Sequence, residues 1–397
     1  MARKKTTNEN TNVTNEKELI RGVTYDEEPI ITEVEEKPEL ADTFYDPEQA
    51  QVTLEGLAKI SKEVKQSVRF VDKSQIRIII DTYYQAQAAR IALENQLRAV
   101  EQGYDDSLNN TAIFWMVEDA RNRENQIKKM IEEYAKNHPV CQWAMSTKGI
   151  EPIFAAKLWS AIDMDKCHHA NQFLNYLGQN DNNIPWLGTE KATDMVNKAW
   201  EECGLEKSDP VNDDVIIKLA MESGRKFETI LNGFNNHKTR LQATKVKNTD
   251  RTIMIKYLAK PPYNLDLKTT AFLIGEAFVK VSNRGSKYGM LYRERRAWET
   301  IRNENLEYKE QAERLLSEKN WDKSTPTYKS LSEGKLSAGH INQRAKRWAT
   351  KIFLTHFFEA CWLYTHPGES KPPVIYPIAF QDHVDYIEPE NPYSDYI

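Results

Sequence analysis

Between Ser74 and Gln102 the chain reads SQIRIIIDTYYQAQAARIALENQLRAVEQ. Ile76, Ile79, Ile80, Tyr83, Ala86, Arg90, Leu93, Leu97 and Val100 keep a spacing of three or four. That period lays them along one stripe of an α-helix; a strand, whose side chains alternate every second residue, cannot gather them. A second amphipathic run, Ile113 to Lys136, follows the polar stretch Gly103–Asn110 and closes at Asn137-His138-Pro139. Two long helices joined by a short polar turn predict an antiparallel helical hairpin for 51–137, suited to internal packing or to homo-oligomer formation. No alternating apolar–polar run exceeds a few residues, so the predicted class is all-α.

The next stretch, Trp143 to Gly178, predicts a short helix ending near Thr147 and a tight turn at Lys148-Gly149-Ile150-Glu151-Pro152. A second helix then runs from Ile153 to about Ile162, and a third ends at Gly178. Pro152 suits a first helical turn, where its missing N–H is no loss, and Gly149 suits a turn needing positive φ. Ala155 and Ala156 are small enough to let another backbone approach. This is the outline of a helix-hairpin-helix, whose physical use is to aim backbone N–H groups and a helix N-terminus at one phosphate. An ordinary turn between two core helices has the same outline, and both readings stay open for 138–183.

Ile184-Pro185-Trp186-Leu187-Gly188 breaks the pattern. Short helices are expected at 189–203, 212–223 and 225–233. The last two, either side of Ser223-Gly224, form a helix-turn-helix-like pair that would offer Arg225, Lys226 and Thr229 to DNA. This makes 184–250 an inserted small helical unit, ending in the basic linker HKTRLQATKVKNTDR. The second part of the core, 251–366, is expected to hold helices at Thr252–Leu258, Leu267–Ser282, Tyr288–Ala312 and, after a polar loop, Ala338–Trp362. Residues 367–397 read as a Pro-rich acidic coil tail.

Charge is segregated along the chain. The net charge is −5, yet residues 1–50 hold six Lys/Arg against thirteen Asp/Glu, and 235–303 hold fifteen Lys/Arg against five Asp/Glu. The first fifty residues, Asn/Thr-rich and then Glu-rich with few large apolar side chains, predict a disordered acidic tail. A basic middle between acidic ends fits a polyanion binder, and equally a soluble helical protein with an uneven charge distribution. Tyr288, Tyr292, Arg293, Arg295, Arg296 and Trp298 interleave stacking and phosphate-binding groups, as do Arg344, Lys346, Arg347 and Trp348, with Lys351 one turn on. Together with Lys148, Gly149 and Ile150 of the hairpin turn, the basic residues Arg293, Arg295, Arg296, Arg344, Lys346, Arg347 and Lys351 are the expected DNA contacts.

Four scattered cysteines without a CxxC pair argue against a zinc site or a disulfide framework and fit the reducing cytoplasm. No apolar run approaches membrane-spanning length, and no signal peptide opens the chain. Neither a cofactor motif nor a catalytic or metal-binding set emerges. His356 and Glu359 share a helix face but lack a third ligand, and Asp382, His383 and Asp385 form a lone HxD in a polar tail.

Several separated blocks resemble a known family. KGIEPIFAAKLWSAI is similar to the GIGPxxAAxLLAxI signature in the helix-hairpin-helix C-terminal domain of insertion-sequence transposases with a RuvC-like (DEDD) nuclease domain. NLDLKTTAFLIGEAFVKV, SKYGMLYRERR and NQRAKRWATKIFLTHFF resemble that domain's later elements in the same order. With the N-terminal hairpin and the KPPYN turn, the arrangement is closer still to uncharacterised transposase-like proteins of phages and mobile elements. The resemblance covers roughly 74–390 and implies a shared scaffold and DNA contact in a bacterial host cell. It does not imply transposition. Residues 60–137 offer no strand-borne acidic set for two metal ions. Glu151 replaces the signature's second glycine, and Ala277 stands near the place of the family's catalytic serine, with Ser282 close by. The expectation is a DNA-binding protein of a phage or mobile element without transposase activity. Its alternatives are a helical scaffold that binds protein, and a strand-transfer or nuclease enzyme centred on Ser282 or the Asp382–Asp385 loop.

Overall fold

The computed structural model describes residues 59–103, 111–180, 186–242, 248–369 and 387–397. The expected acidic tail of 1–50 and the Asp382–Asp385 loop lie outside these residues. Among the described residues every regular element is a helix, so the fold is all-α.

In chain order the helices are α1 (Lys62–Ser67), α2 (Lys73–Gly103), α3 (Thr111–Asn137), α4 (Pro139–Ser146), α5 (Pro152–Ala161), α6 (Ala170–Tyr176), α7 (Gly188–Glu202) and α8 (Asp213–Ser223). They continue as α9 (Phe227–Gln242), α10 (Asp250–Leu258), α11 (Leu265–Val281), α12 (Lys287–Glu304), α13 (Lys309–Glu318), α14 (Pro326–Ser332) and α15 (Ala338–Thr365). Short 3-10 turns occupy Val68–Phe70 and Tyr393–Asp395. The chain divides into two compact units, 1–163 with 274–371 and 384–397, and 164–273 with 372–383. The division falls at 163/164 and 273/274, so α6, read in the sequence beside the hairpin, belongs to the second unit.

In the first unit α2 and α3 form the expected antiparallel hairpin. Arg90 pairs with Glu124 at 2.5 Å, Arg121 with Glu94 at 3.0 Å, and Arg69 bonds Glu133, a ladder that only opposed chain directions allow. Ile76, Ile80 and Tyr83 of the stripe are buried. The hairpin packs on α5, where the Lys157 ammonium lies 3.8 Å from the Tyr84 ring centre and the Trp159 indole N–H donates to the Tyr134 hydroxyl at 3.0 Å. The core is aromatic: Trp143 of α4 stacks on Phe353 of α15, whose other neighbours are Phe278 of α11 and Tyr288 of α12. Burying each of these rings removes well over 100 Å² from water, so this cluster carries much of the unit's stability.

The second unit closes its own core from Trp200, Ile216, Leu219, Ile230, Phe234 and Met254, contributed by α7 to α10. Gly233 of α9 is a required glycine, because a Cβ there would lie 2.2 Å from the Tyr257 ring. Asn212 caps α8 and Gly224 ends it in the left-handed conformation, as the Ser223-Gly224 turn predicts.

Three sequence expectations are corrected. The helix foreseen at 225–233 runs on as α9 to Gln242, so part of the basic linker is helical; His237-Lys238-Thr239-Arg240 contains no breaker. The single helix foreseen over 288–312 is two, α12 and α13, divided where Leu306 adopts φ 61°. That turn brings the Tyr308 hydroxyl back to Glu299 at 2.5 Å. The polar loop before α15 contains α14, started by the Thr325 cap and Pro326 in its first turn.

Candidate nucleic-acid interface

The helix-hairpin-helix is present as local structure within the first unit. The Thr147 N–H bonds Ala144, the Ile150 N–H bonds Thr147 at 3.1 Å, and Gly149 sits at φ 99°. Pro152 begins α5 one residue after Glu151, whose side chain makes no capping bond. The turn rests on a second one, Ser282–Ser286, between α11 and α12. A Cβ on Gly149 would approach Val281 to 3.2 Å, and the exposed Lys148 reaches across to donate to the carbonyls of Arg284 at 3.1 Å and Gly285 at 3.4 Å. Ser286 accepts from the Gly289 N–H to cap α12, while its hydroxyl donates to the Lys148 carbonyl at 3.4 Å.

Three groups on this face were not singled out in the sequence: Lys280, Arg284 and Lys287. Lys280 and Arg284 are exposed and Lys287 is half-buried. The readable signal was the stretch NRGSK itself, a cap serine after glycine with a cation on either side. Arg293 is exposed beside it, donating to the Asn283 side chain at 3.0 Å.

The carboxyl of Glu390 lies near the backbone and side-chain charges of Lys287 and Lys148, which favour its ionised form. Burial dominates nevertheless and pushes its carboxyl above the usual carboxylate range; its Oε2 atom is buried without a hydrogen-bond partner. The surrounding segment is anchored independently. The Trp143 indole N–H donates to the Asn391 carbonyl at 3.1 Å, and the Asn391 amide donates to the Ser146 carbonyl and hydroxyl at 3.1 and 2.9 Å. Lys287 Nζ donates to the Pro389 carbonyl at 3.4 Å, and the buried Tyr393 donates to Glu359 at 2.6 Å.

The other expected contacts fall into two groups. Arg295, Arg344 and Lys346 are committed inside the fold. Arg295 is 8% exposed and pairs at 2.8 Å with Glu299, itself 1% exposed, which also receives Arg344 at 2.9 Å. Burial alone would raise the Glu299 carboxyl, but the Tyr308 hydroxyl and the Arg344 and Arg295 guanidiniums outweigh it and hold it below the usual range. Lys346, 6% exposed, bonds Glu276. Arg296 and Arg347 are exposed and Lys351 is half-exposed. In the second unit, Lys226 and Thr229 are exposed, whereas the Arg225 guanidinium lies over the Tyr257 ring at 5.9 Å.

Of the two candidate centres for bond chemistry, only Ser282 lies among the described residues. Ser282 is 8% exposed and its hydroxyl donates back to the Val279 carbonyl of its own helix at 2.7 Å. His356 is fully buried. Its Nε2–H donates to the Ile387 carbonyl at 2.7 Å and its Nδ1 accepts from the Tyr288 hydroxyl at 2.8 Å, leaving neither nitrogen to a metal. Among the described residues no three His, Cys, Asp or Glu side chains are placed to hold a metal ion, and no helix is long and apolar enough to cross a membrane.

No family model, curated protein or solved structure matches the chain.

Proposed function

We infer that this chain is a nucleic-acid-binding protein that grips the phosphate backbone, DNA first, through the hairpin turn and the adjoining Ser282–Ser286 turn. The observation that carries this reading is the junction of the two turns. Lys148 donates across to the Arg284 and Gly285 carbonyls and Ser286 donates back to the Lys148 carbonyl, with the exposed Arg284 and Arg293 beside them. Backbone amides and point charges position a phosphate without reading bases, so recognition at this site is by backbone and shape. Arg296, Arg347 and Lys351 extend the footprint, and the α2–α3 hairpin braces it or joins two copies. The same proposal includes a phage or mobile-element origin, a cytoplasmic location and a transposase-like scaffold that performs no strand chemistry.

The test is binding to duplex, single-stranded and branched DNA over a salt series. Affinity should fall steeply with salt, and an Arg284→Ala/Arg293→Ala variant should lower the log–log slope by roughly one to two. If no form binds at low salt, the reading is wrong. The rival is then a helical scaffold that binds protein, favoured by the commitment of Arg295, Arg344 and Lys346 to internal ion pairs.

A further inference from the structure

The second unit carries its two signs of charge on different sides. Around its core α7 packs on α8, α8 on α9, α9 on α10 and α10 on α7. Residues 188–223, which hold α7 and α8, contain nine Asp/Glu and four Lys/Arg. Residues 224–260, which hold α9 and α10, contain two Asp/Glu and nine Lys/Arg. The acidic side neutralises its own cations, with Lys198 on Glu222 at 3.4 Å and Lys218 on Glu202 at 3.1 Å. The basic side does not. Asp250, one of its two carboxylates, is taken by Lys238 at 2.7 Å. Lys226, Arg240, Lys256 and Lys260 are exposed, and among the described residues none of them pairs with a carboxylate. Lys256 donates at 3.0 Å to the neutral Asn248 side chain.

These cations gather about one fixed aromatic ring. The Tyr257 hydroxyl donates to the Thr229 carbonyl at 2.9 Å, and the ring fills the space above Gly233. The Arg225 guanidinium lies over that ring at 5.9 Å, and its Nε is buried without a hydrogen-bond partner. Lys256 precedes Tyr257 in α10, and the Lys260 N–H bonds the Tyr257 carbonyl at 3.2 Å. A guanidinium that no carboxylate neutralises, beside three such lysines, attracts a polyanion. Among the described residues of 224–260 no large apolar side chain is exposed, as insertion into a lipid surface requires. The surface between the cations is instead made of exposed Thr229, Asn232, Asn235, Asn236 and Thr239. Hydroxyls and amides of this kind bond phosphate and sugar oxygens.

We propose that the α9–α10 side of the second unit is a further nucleic-acid surface, gripping phosphates through Arg225, Lys226, Arg240, Lys256 and Lys260. The acidic α7–α8 side orients it, because that side turned to a strand is repelled. The proposal rests on the nucleic-acid reading above for the identity of the polyanion, and adds a second point of attachment separate from the hairpin turn.

The experiment uses the full chain in a duplex DNA salt series, each variant checked for fold by circular dichroism and thermal melting. Lys226→Ala/Lys256→Ala/Lys260→Ala should lower the log–log salt slope by about two to three, equally on unrelated sequences. Lys191→Ala/Lys198→Ala/Lys207→Ala removes the same charge from exposed positions of the acidic side and should leave the slope unchanged. Arg225→Gln should lower it by about one, and carries the comparison if the triple variant folds poorly. Equal effects of the two triple variants would show that net charge alone matters and overturn the proposal. A wild-type slope in the first triple variant, while Arg284→Ala/Arg293→Ala still lowers it, would overturn the proposal and leave the hairpin grip standing. The reverse result upholds the α9–α10 surface while the hairpin grip falls. If the wild type binds no DNA at low salt, both are wrong.

Discussion

Single residues of the basic clusters separate into those that hold the fold and those exposed at its surface. Glu299 is 1% exposed and serves Arg295, Arg344 and Tyr308 together, so Glu299→Gln strands a buried guanidinium. It should cost about 3–5 kcal/mol in a urea unfolding series, against under 1 kcal/mol for the exposed Arg347→Ala; equal costs would refute the assignment. Gly149→Ala forces a Cβ onto φ 99° and against Val281, and should cost about 1–3 kcal/mol. Gly188→Ala, also at positive φ but with nothing within 4 Å, should cost only about 1 kcal/mol. His138 is held near pKa 4 by burial, with the Lys73 charge adding to it. An unfolded histidine takes its proton near pH 6.5, which the folded one refuses until about pH 4, so stability falls as pH drops through that window. The loss, on the order of 2–3 kcal/mol, should largely disappear in His138→Gln when urea midpoints at pH 7 and 4.5 are compared. At this scale the sequence was only half readable. Arg293, Arg296 and Arg347 emerge at the surface as their basic clusters suggest. Arg295 does not and Arg344 does so only in part, because the carboxylate that pairs with both, Glu299, lies one turn from Arg295 but 45 residues from Arg344.

Elements were legible where periodicity was long and the punctuation local. The α2 and α3 stripes, the Pro152 start of α5, the Gly224 end of α8 and the α15 face follow from nearby residues. The division between α12 and α13 does not, since Leu306 is no glycine and its φ of 61° is maintained by a tertiary bond from Tyr308 to Glu299. The docking of 387–397 was unreadable for the same reason: a Pro-rich acidic stretch looks like coil until Tyr393 is seen beside Trp143, 5.2 Å between ring centres. Tyr393→Ala should therefore weaken that attachment by about 3 kcal/mol or more and speed amide exchange through 387–397. Tyr393→Phe, which removes only the hydroxyl donated to Glu359, should cost about 1–2 kcal/mol. Unchanged exchange in the alanine variant would mean that the segment is held by something else.

At the scale of the molecule, the all-α class was written in the absence of strand alternation, whereas the two-unit division was not, because α11 runs unbroken across residue 273. Each unit has its own core, and Leu219, fully buried, belongs to that of the second. Leu219→Ala should cost about 2–5 kcal/mol and raise amide exchange over α7 to α10 while α4, α5 and α15 keep their protection. Exchange rising everywhere would show a single cooperative body. The attachment of 387–397 through Asn391 and Tyr393 has a last consequence at this scale. A segment that lifts off remains covalently tied to the protein, at an effective concentration on the order of millimolar. Its redocking is unimolecular, so the rate is the same in a nanomolar assay as in a crowded cell.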